Sequence, residues 1–296
     1  METKIGARDA RFYICGYQLL TMPCSLSKSE LEERRKTVLG KLLDKNVDLL
    51  DERVERVNEN IYFDFKVAQA QEILKQAYPI FGENLAVAFS GGKDSLVILH
   101  LALHTISPKI PILFSSTTVE FPETIRYVQD LTEEWNLNLH VVTPKKSLFT
   151  AVKERGWATH DNRWCCRPYK ETPAFQFITE EKIPAEITGT HRTESIYRRS
   201  LTPIKMPKKE PFLIRVNPIY DWNQWEVWKY IKSKELPYNP LYDKGYRRIG
   251  CWCCPLNGWT HYRRLKRTHP RLYSFLENFE PEHPGVQKFK AKYNLK

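Results

Sequence analysis

The 296-residue chain is long enough for one large domain with appendages or two modest ones, and its 42% hydrophobic content supplies a substantial core. Its 46 Lys and Arg against 35 Asp and Glu give a net charge of +11, crowded toward the C-terminal half, a balance that attracts polyanions. The first 30 residues hold no apolar run suited to a signal sequence, and no later run approaches the roughly 18 residues of a membrane span, so the expected address is cytoplasmic with no membrane partner.

Residues 26–65 are highly charged, and Leu31, Val38, Leu39, Leu42 and further apolar positions through Ile61 recur at helical intervals. The spacing predicts one or two amphipathic helices, an N-terminal appendage over 1–65. From about residue 66 the rhythm changes to a helix over 65–78 and then apolar runs at 85–89, 112–114, 139–142 and 185–188, separated by helical stretches. That alternation predicts an α/β fold with a doubly wound, mainly parallel sheet over 66–258. Segment 204–216 reads as edge strands or a loop, and 222–234 as a helix with Asp221 as its N-cap. A basic helix over 259–278 and a polar tail complete a C-terminal appendage, 259–296.

The first strand runs straight into a glycine turn and an apolar helix: Phe89, Ser90, Gly91, Gly92, Lys93, Asp94, Ser95, Leu96. Two glycines let a backbone turn tightly and approach a phosphate, and the helix N-terminus offers free N–H groups and the positive end of its dipole. Ser90 and Ser95 add hydroxyls, and Lys93 a point charge. Asp94 would repel phosphate unless it caps the turn or binds Mg2+. The string is not a Walker A loop, which ends in Gly-Lys-Ser/Thr. A Gly-Gly turn that merely connects strand and helix is the plainer alternative.

Seven cysteines, five of them in two short clusters, suit a metal or redox centre better than a disulfide framework. Cys165 and Cys166 are adjacent, and Cys251 and Cys254 form a Cys-x-x-Cys after a gap of 84 residues. If the fold brings the pairs together, a thiolate-rich site results, for iron–sulfur or zinc; plain buried thiols are the bland reading. Cys253 reads as a free thiol beside that site or as a small buried hydrophobe. After the fourth strand, the stretch from Gly189 to Arg198 falls at the carboxyl edge of the sheet, where open α/β sheets bind ligands. Arg192 and Arg198 are candidates for the phosphates, with Arg198 preferred. His261 to Arg271, interleaved with Trp259, Tyr262 and Tyr273, can track a phosphate backbone, or can pack through Leu265, Leu272, Phe275 and Leu276.

The SGGKDS string resembles the PP-loop of the adenine-nucleotide alpha-hydrolase superfamily, and the ordered motifs that follow are similar to the phosphoadenylyl-sulfate (PAPS) and adenylyl-sulfate (APS) reductases and their sulfur-transferring relatives. The motifs are Phe121-Pro122-Glu123-Thr124, Trp164-Cys165-Cys166-Arg167, Gly189 to Arg198, Asn217-Pro218-Ile219, Leu236-Pro237-Tyr238-Asn239-Pro240-Leu241-Tyr242 and Ile249-Gly250-Cys251, covering about 66–275. The resemblance implies an adenine-nucleotide alpha-hydrolase-like fold. It implies a nucleotide site on Ser90, Gly91, Gly92, Lys93, Asp94, Ser95, Gly189 and Arg192, with Lys93, Asp94 and Arg198 in the catalytic roles. It further implies a 4Fe-4S cluster on Cys165, Cys166, Cys251 and Cys254, Mg2+, and ATP, PAPS or APS as substrate.

Three departures matter. His191 stands where relatives carry the arginine of Gly-x-Arg; Ser116-Thr117-Thr118 stands where they often carry Asp-Thr-Gly; and residues 255–296 contain no cysteine, whereas the thiol-dependent reductases attack sulfur with a tail cysteine. Cys15, Cys24 and Cys253 are the candidates for a replacement thiol. The leading expectation is an ATP-pyrophosphatase-type sulfur transferase that thiolates tRNA or DNA after adenylylation. The alternatives are a PAPS/APS reductase with a nonstandard thiol or partner, and a nucleotide binder without chemistry. Expected partners are an adenine nucleotide, a nucleic-acid substrate, a cysteine desulfurase or electron donor, and a second copy in a homodimer.

Overall fold

A computed structural model describes residues 47–159, 161–207, 212–279 and 282–295, with side chains from residue 59 onward. Cys15, Cys24 and most of the helical reading over 26–65 lie outside the described residues. The chain divides into two compact units, residues 1–69 and 70–296. Helix α1 (Val47–Phe81) begins in the first and ends in the second, so the expected helix over 65–78 is the last part of a longer one.

The second unit is built on a six-stranded sheet in the order β3-β2-β1-β4-β6-β5. Its strands are β1 (Leu85–Phe89), β2 (Ile112–Ser115), β3 (Leu139–Val142), β4 (Ala185–Ile187), β5 (Ile204–Lys205) and β6 (Ile214–Val216), parallel throughout except for the β5–β6 pair. The sequence alone reads the first four because each is a short apolar run, the signature of strands covered on both faces. Side chains alternate across β1 and β2, so Ala86 and Leu113 face α5 (Thr172–Glu180), where they pack with Ile178, Ile183 and Leu213. Helix α2 (Lys93–Thr105) packs on β1 and on α6 (Gln224–Ser233). The sheet is thus doubly wound, as the alternation predicts.

Two expectations are corrected. Helix α6 starts at Gln224, and its cap is Asn223 rather than Asp221. The Asn223 Oδ1 accepts from the N–H groups of Trp225 at 2.8 Å and Glu226 at 3.0 Å, while Glu226 accepts from the Asn223 N–H at 2.6 Å, a reciprocal capping box. The basic segment is not one helix with a polar tail but three helices, α7 (Trp259–Thr268), α8 (Pro270–Asn278) and α9 (Pro284–Tyr293). Pro270 has no N–H to extend α7 and opens α8 at the first position, as Pro284 opens α9.

These three helices close a second, aromatic core with α4 (Leu148–Arg155), through Leu148 and Val152, and with Val119 and Phe121 just before α3 (Pro122–Glu134). Trp252, Cys253, Tyr262, Leu265, Tyr273, Leu276 and Phe289 are buried there, with the Trp157 and Phe289 rings 4.5 Å apart. Tyr262 and Tyr273, read as base-stacking candidates, are therefore core residues; Trp259 is the aromatic of that group left exposed on α7. Among the described residues no helix is long and apolar enough to cross a membrane.

Candidate functional site

At the carboxyl end of β1 the chain turns through Ser90–Gly92 into α2. Gly91 has φ +70°, the left-handed region that glycine occupies freely, and a Cβ there would lie 2.9 Å from Thr124 Cγ2. The turn is braced from several directions. Ser95 Oγ donates to the Gly92 carbonyl at 2.8 Å and accepts from the Ser90 N–H at 3.2 Å. Asn239 Nδ2 donates to the Gly91 carbonyl at 3.2 Å and to Thr124 Oγ1 at 3.1 Å, and the Lys93 N–H donates to the Tyr242 hydroxyl at 2.9 Å. Ser95 is thus part of the loop's own frame, while Ser90 stays exposed.

Lys93 is buried, and its Nζ contacts both Asp94 carboxylate oxygens at 2.7 and 2.8 Å. Burial works against the Asp94 carboxylate, but the His191 contact and the Lys93 charge outweigh it and hold its pKa below the ordinary value. His191, fully buried, points Nε2 at Asp94 Oδ1 across 3.3 Å. It arrives there because Gly189 presses the β4 exit against the first turn of α2: a Cβ on Gly189 would stand 2.7 Å from the Asp94 carbonyl oxygen.

The two arginines part company. Arg198, half-buried, pairs with Glu194, and burial together with the charges of Arg248 and Arg215 lowers its pKa against the pull of Asp94. Arg192 is turned into the scaffold of its own loop, with Nε donating to the Leu201 carbonyl at 2.7 Å and its guanidinium 4.7 Å from the Tyr220 ring centroid.

The cysteine pairs meet. Cys165 and Cys166 sit at the entry to a π-helical turn (Arg167–Glu171), and Cys251 and Cys254 lie in a turn closed by the Cys254 N–H on the Cys251 carbonyl at 3.1 Å. All four line one cavity with Thr117, Trp164 and Lys170. Cys165 hydrogen-bonds to Cys166, an interaction that raises Cys165 and lowers Cys166, so the pair holds one proton more tightly than two. Burial pushes Cys251 up to about 11 against the Thr117 hydroxyl, 3.4 Å from its sulfur, and burial raises Cys254 as well. Cys253 takes the bland reading: it is fully buried in the aromatic core and burial drives its pKa well above the ordinary thiol value.

The two halves of the site share the stretch that runs from the end of β2 into the first turn of α3. Thr124 meets Gly91 at one end, and at the other Thr117 meets Cys251 while the Trp252 N–H donates to the Val119 carbonyl at 3.0 Å. Sequence reasoning missed the supports Thr117, Asn239 and Tyr242. The segment 236–242 was matched as a motif, but nothing local tells that two of its side chains brace a turn almost 150 residues earlier.

A doubly wound sheet with a phosphate-type turn at its carboxyl edge defines a nucleotide-binding α/β protein. A family described as phosphoadenosine phosphosulfate reductase domain matches residues 84–257, more than half of the chain, and the chain belongs to that family. It is 34% identical over 204 residues to the adenosine 5'-phosphosulfate reductase of Salinibacter ruber, covering 67% of this chain and 79% of that protein. An uncharacterized protein of Methanocaldococcus jannaschii is 32% identical over 258 residues, 86% of this chain and 52% of the relative. The chain spans about half the length of the M. jannaschii relatives it matches. Among solved structures, the PAPS reductase of Candida auris in its phosphate complex superposes with a TM-score of 0.53 at 25% identity, over 78% of this chain and 98% of that one. The fold is accordingly adenine-nucleotide alpha-hydrolase-like.

Proposed function

We propose that the chain binds ATP with Mg2+ at the 90–95 loop, adenylylates an acceptor, and acts in sulfur transfer to a nucleic acid, tRNA or DNA. A 4Fe-4S cluster on Cys165, Cys166, Cys251 and Cys254 belongs to this reading. The observation that carries it is the stretch from β2 into the first turn of α3, which approaches the phosphate turn at Gly91 through Thr124 and the second cysteine pair at Cys251 through Thr117, so that nucleotide and thiolates share one frame.

In the proposed reaction an acceptor oxygen attacks the α phosphorus, the bond to the β-phosphate oxygen breaks, and pyrophosphate leaves. A sulfur nucleophile then displaces AMP. The N–H groups of Gly91 and Gly92 face the phosphates, Ser90 adds its hydroxyl, and Asp94 holds the cation. Lys93 and Arg198 balance the charge that develops on pyrophosphate. Gly189 permits the close approach of the β4 loop, and Arg192 keeps that loop in shape through Leu201 and Tyr220.

The donor set suits the cluster. Burial opposes ionisation of Cys251 and Cys254, a cost that a bound cation removes. A single zinc with sulfurs at about 2.3 Å draws them to within about 3.8 Å of one another. Among the described residues the set of three or more such groups with ligand atoms inside 4.8 Å is Asp94, His191 and Glu194; Cys165 and Cys166 hydrogen-bond to each other, but no three of the thiols form such a set. When bound, a 4Fe-4S cluster supplies a redox-active centre tuned by its surroundings. Lys170, on the same cavity, supplies positive charge toward Cys166 and Cys251.

A second reading, reduction of adenylyl or phosphoadenylyl sulfate, is favoured by the Salinibacter relative. It calls for an attacking thiol; residues 255–296 hold none, Cys253 is buried, and the other two candidates, Cys15 and Cys24, lie outside the described residues. Anaerobically purified protein with ATP, Mg2+ and bulk tRNA or DNA is expected to release pyrophosphate, and Asp94→Ala to lower that rate about 100-fold. Sulfite from APS or PAPS with a thiol donor, without pyrophosphate release from ATP, replaces the first reading with the second.

A further inference from the structure

His191 is one of the three departures from the family pattern, and its surroundings give the departure a chemical meaning. The Thr193 hydroxyl donates to the Trp222 carbonyl at 3.2 Å, so its lone pair is what faces His191 Nδ1 at 2.8 Å. With the imidazole proton on Nδ1 and donated to Thr193, the Nε2 lone pair can serve as a ligand. Nε2 faces Asp94 Oδ1 at 3.3 Å, with Glu194 completing a set whose ligand atoms all lie within 4.8 Å of one another. An imidazole nitrogen and two carboxylates at this spacing can serve together as ligands to one cation, which replaces the direct His191–Asp94 contact. An acceptor on the far side of the ring, taking its other N–H and fixing its orientation, is what ligating histidines ordinarily have. Gln224 Nε2, 3.4 Å from His191 Nε2, is the other group at that nitrogen; it belongs to an exposed residue at the start of α6 and can turn away.

We propose that Asp94, His191 and Glu194 bind a borderline divalent cation of the Mn2+, Co2+ and Zn2+ class, which enters with the polyphosphate of the nucleotide. The inference rests on the nucleotide reading above and changes its metal. One imidazole nitrogen and two carboxylates favour a transition ion, whereas Mg2+ prefers oxygen alone and keeps its waters. Lys93 and Arg198, which pair with Asp94 and Glu194, do not oppose this. A polyphosphate that arrives with the cation offers both of them new oxygens, so the carboxylates pass to the metal as the basic groups pass to phosphate.

The experiment uses the full chain, labelled with 15N-histidine, mixed with Mn2+ and ATP, and read by electron spin-echo envelope modulation. Mn2+ suits carboxylates over the thiolates of the cysteine cavity, which keeps that site silent. The expected result is a 15N coupling to Mn2+ that disappears in His191→Gln and weakens in Glu194→Gln. The label separates the protein's imidazole from the 14N of adenine, and the wild-type spectrum stands without any variant. ATP retained on the protein with no 15N coupling overturns the metal site alone, as does a coupling that survives His191→Gln. Failure to retain ATP overturns the nucleotide reading beneath it.

Discussion

The phosphate turn and the cysteine cavity lie in the same unit and share one connecting segment, yet they are made in opposite ways. The turn is local: one strand, two glycines and the first turn of α2, with Asn239 and Tyr242 reaching in from afar as braces. The cavity is assembled, its two cysteine pairs 84 residues apart and held by a core to which α7, α8 and α9 contribute. A local site survives disturbance at a distance, whereas an assembled one depends on everything packed behind it. The largest test of that contrast is Cys251→Ser, which removes one thiolate without touching the turn. Iron and labile sulfide in anaerobically made protein are expected to fall about tenfold or more while ATP retention stays unchanged. Loss of both together would show that the two sites form one cooperative object.

The reverse disturbance is Gly189→Ala. Its Cβ would meet the Asp94 carbonyl oxygen at 2.7 Å, a backbone atom that cannot rotate away, so β4 and α2 must separate. Overpacking of this kind costs about 1–3 kcal/mol, and because the displaced atoms carry Asp94 and His191 the affinity for ATP is expected to fall by at least about tenfold. Iron content, measured on the same samples, is expected to stay at the wild-type level. A variant that kept its affinity would mean that the β4 loop is not part of the nucleotide site.

How legible each site was in the sequence follows the same contrast. The turn could be read outright, because Ser90 to Ser95 states its geometry in six adjacent residues. That the two cysteine pairs meet could be anticipated, but not the wall around them: that Thr117 bonds Cys251, or that Tyr293 donates to the Pro255 and Asn257 carbonyls at 2.8 Å, depends on pairings no local pattern announces. Some of what was missed was nonetheless written locally. Asn223 followed by Glu226 is a capping-box string, and it outranks Asp221 because both of its hydrogen bonds close. Pro270 within a basic run marks a helix boundary. His191 was visible as an odd residue, while its meaning waited on Thr193 and Trp222.

A smaller effect probes the wall of the cavity. Tyr262, buried on α7, donates to the Cys254 carbonyl at 2.7 Å, tying the basic helix to the turn that carries the second pair. Tyr262→Phe keeps the ring and deletes the donor, leaving a buried carbonyl short of a partner at about 1–3 kcal/mol. Thermal unfolding is expected at a lower temperature, with iron lost more readily on dilution and ATP retention unaffected. An equal loss of ATP binding would count against the separation of the two sites.

The smallest effect lies where the regions join. Glu123, in the first turn of α3, is held by Lys244 and by His269 Nε2 at 2.8 Å, so it links the segment after β2 to the end of α7. Burial works against its carboxylate, but hydrogen bonds from Lys244, its own backbone N–H and His269 prevail and hold its pKa at about 2, below the usual 4.5. A depressed carboxylate stabilises the fold at pH values above 4.5, and that contribution drains away as the pH falls from 4.5 through 2. Lys244 is 40% exposed and solvent screens the pair, so Glu123→Gln is expected to cost only about 1 kcal/mol at pH 7. Melting curves of the two proteins should therefore lie apart at neutral pH and converge toward pH 2. A gap that stayed constant across this range would assign the loss to packing rather than to the charge on Glu123.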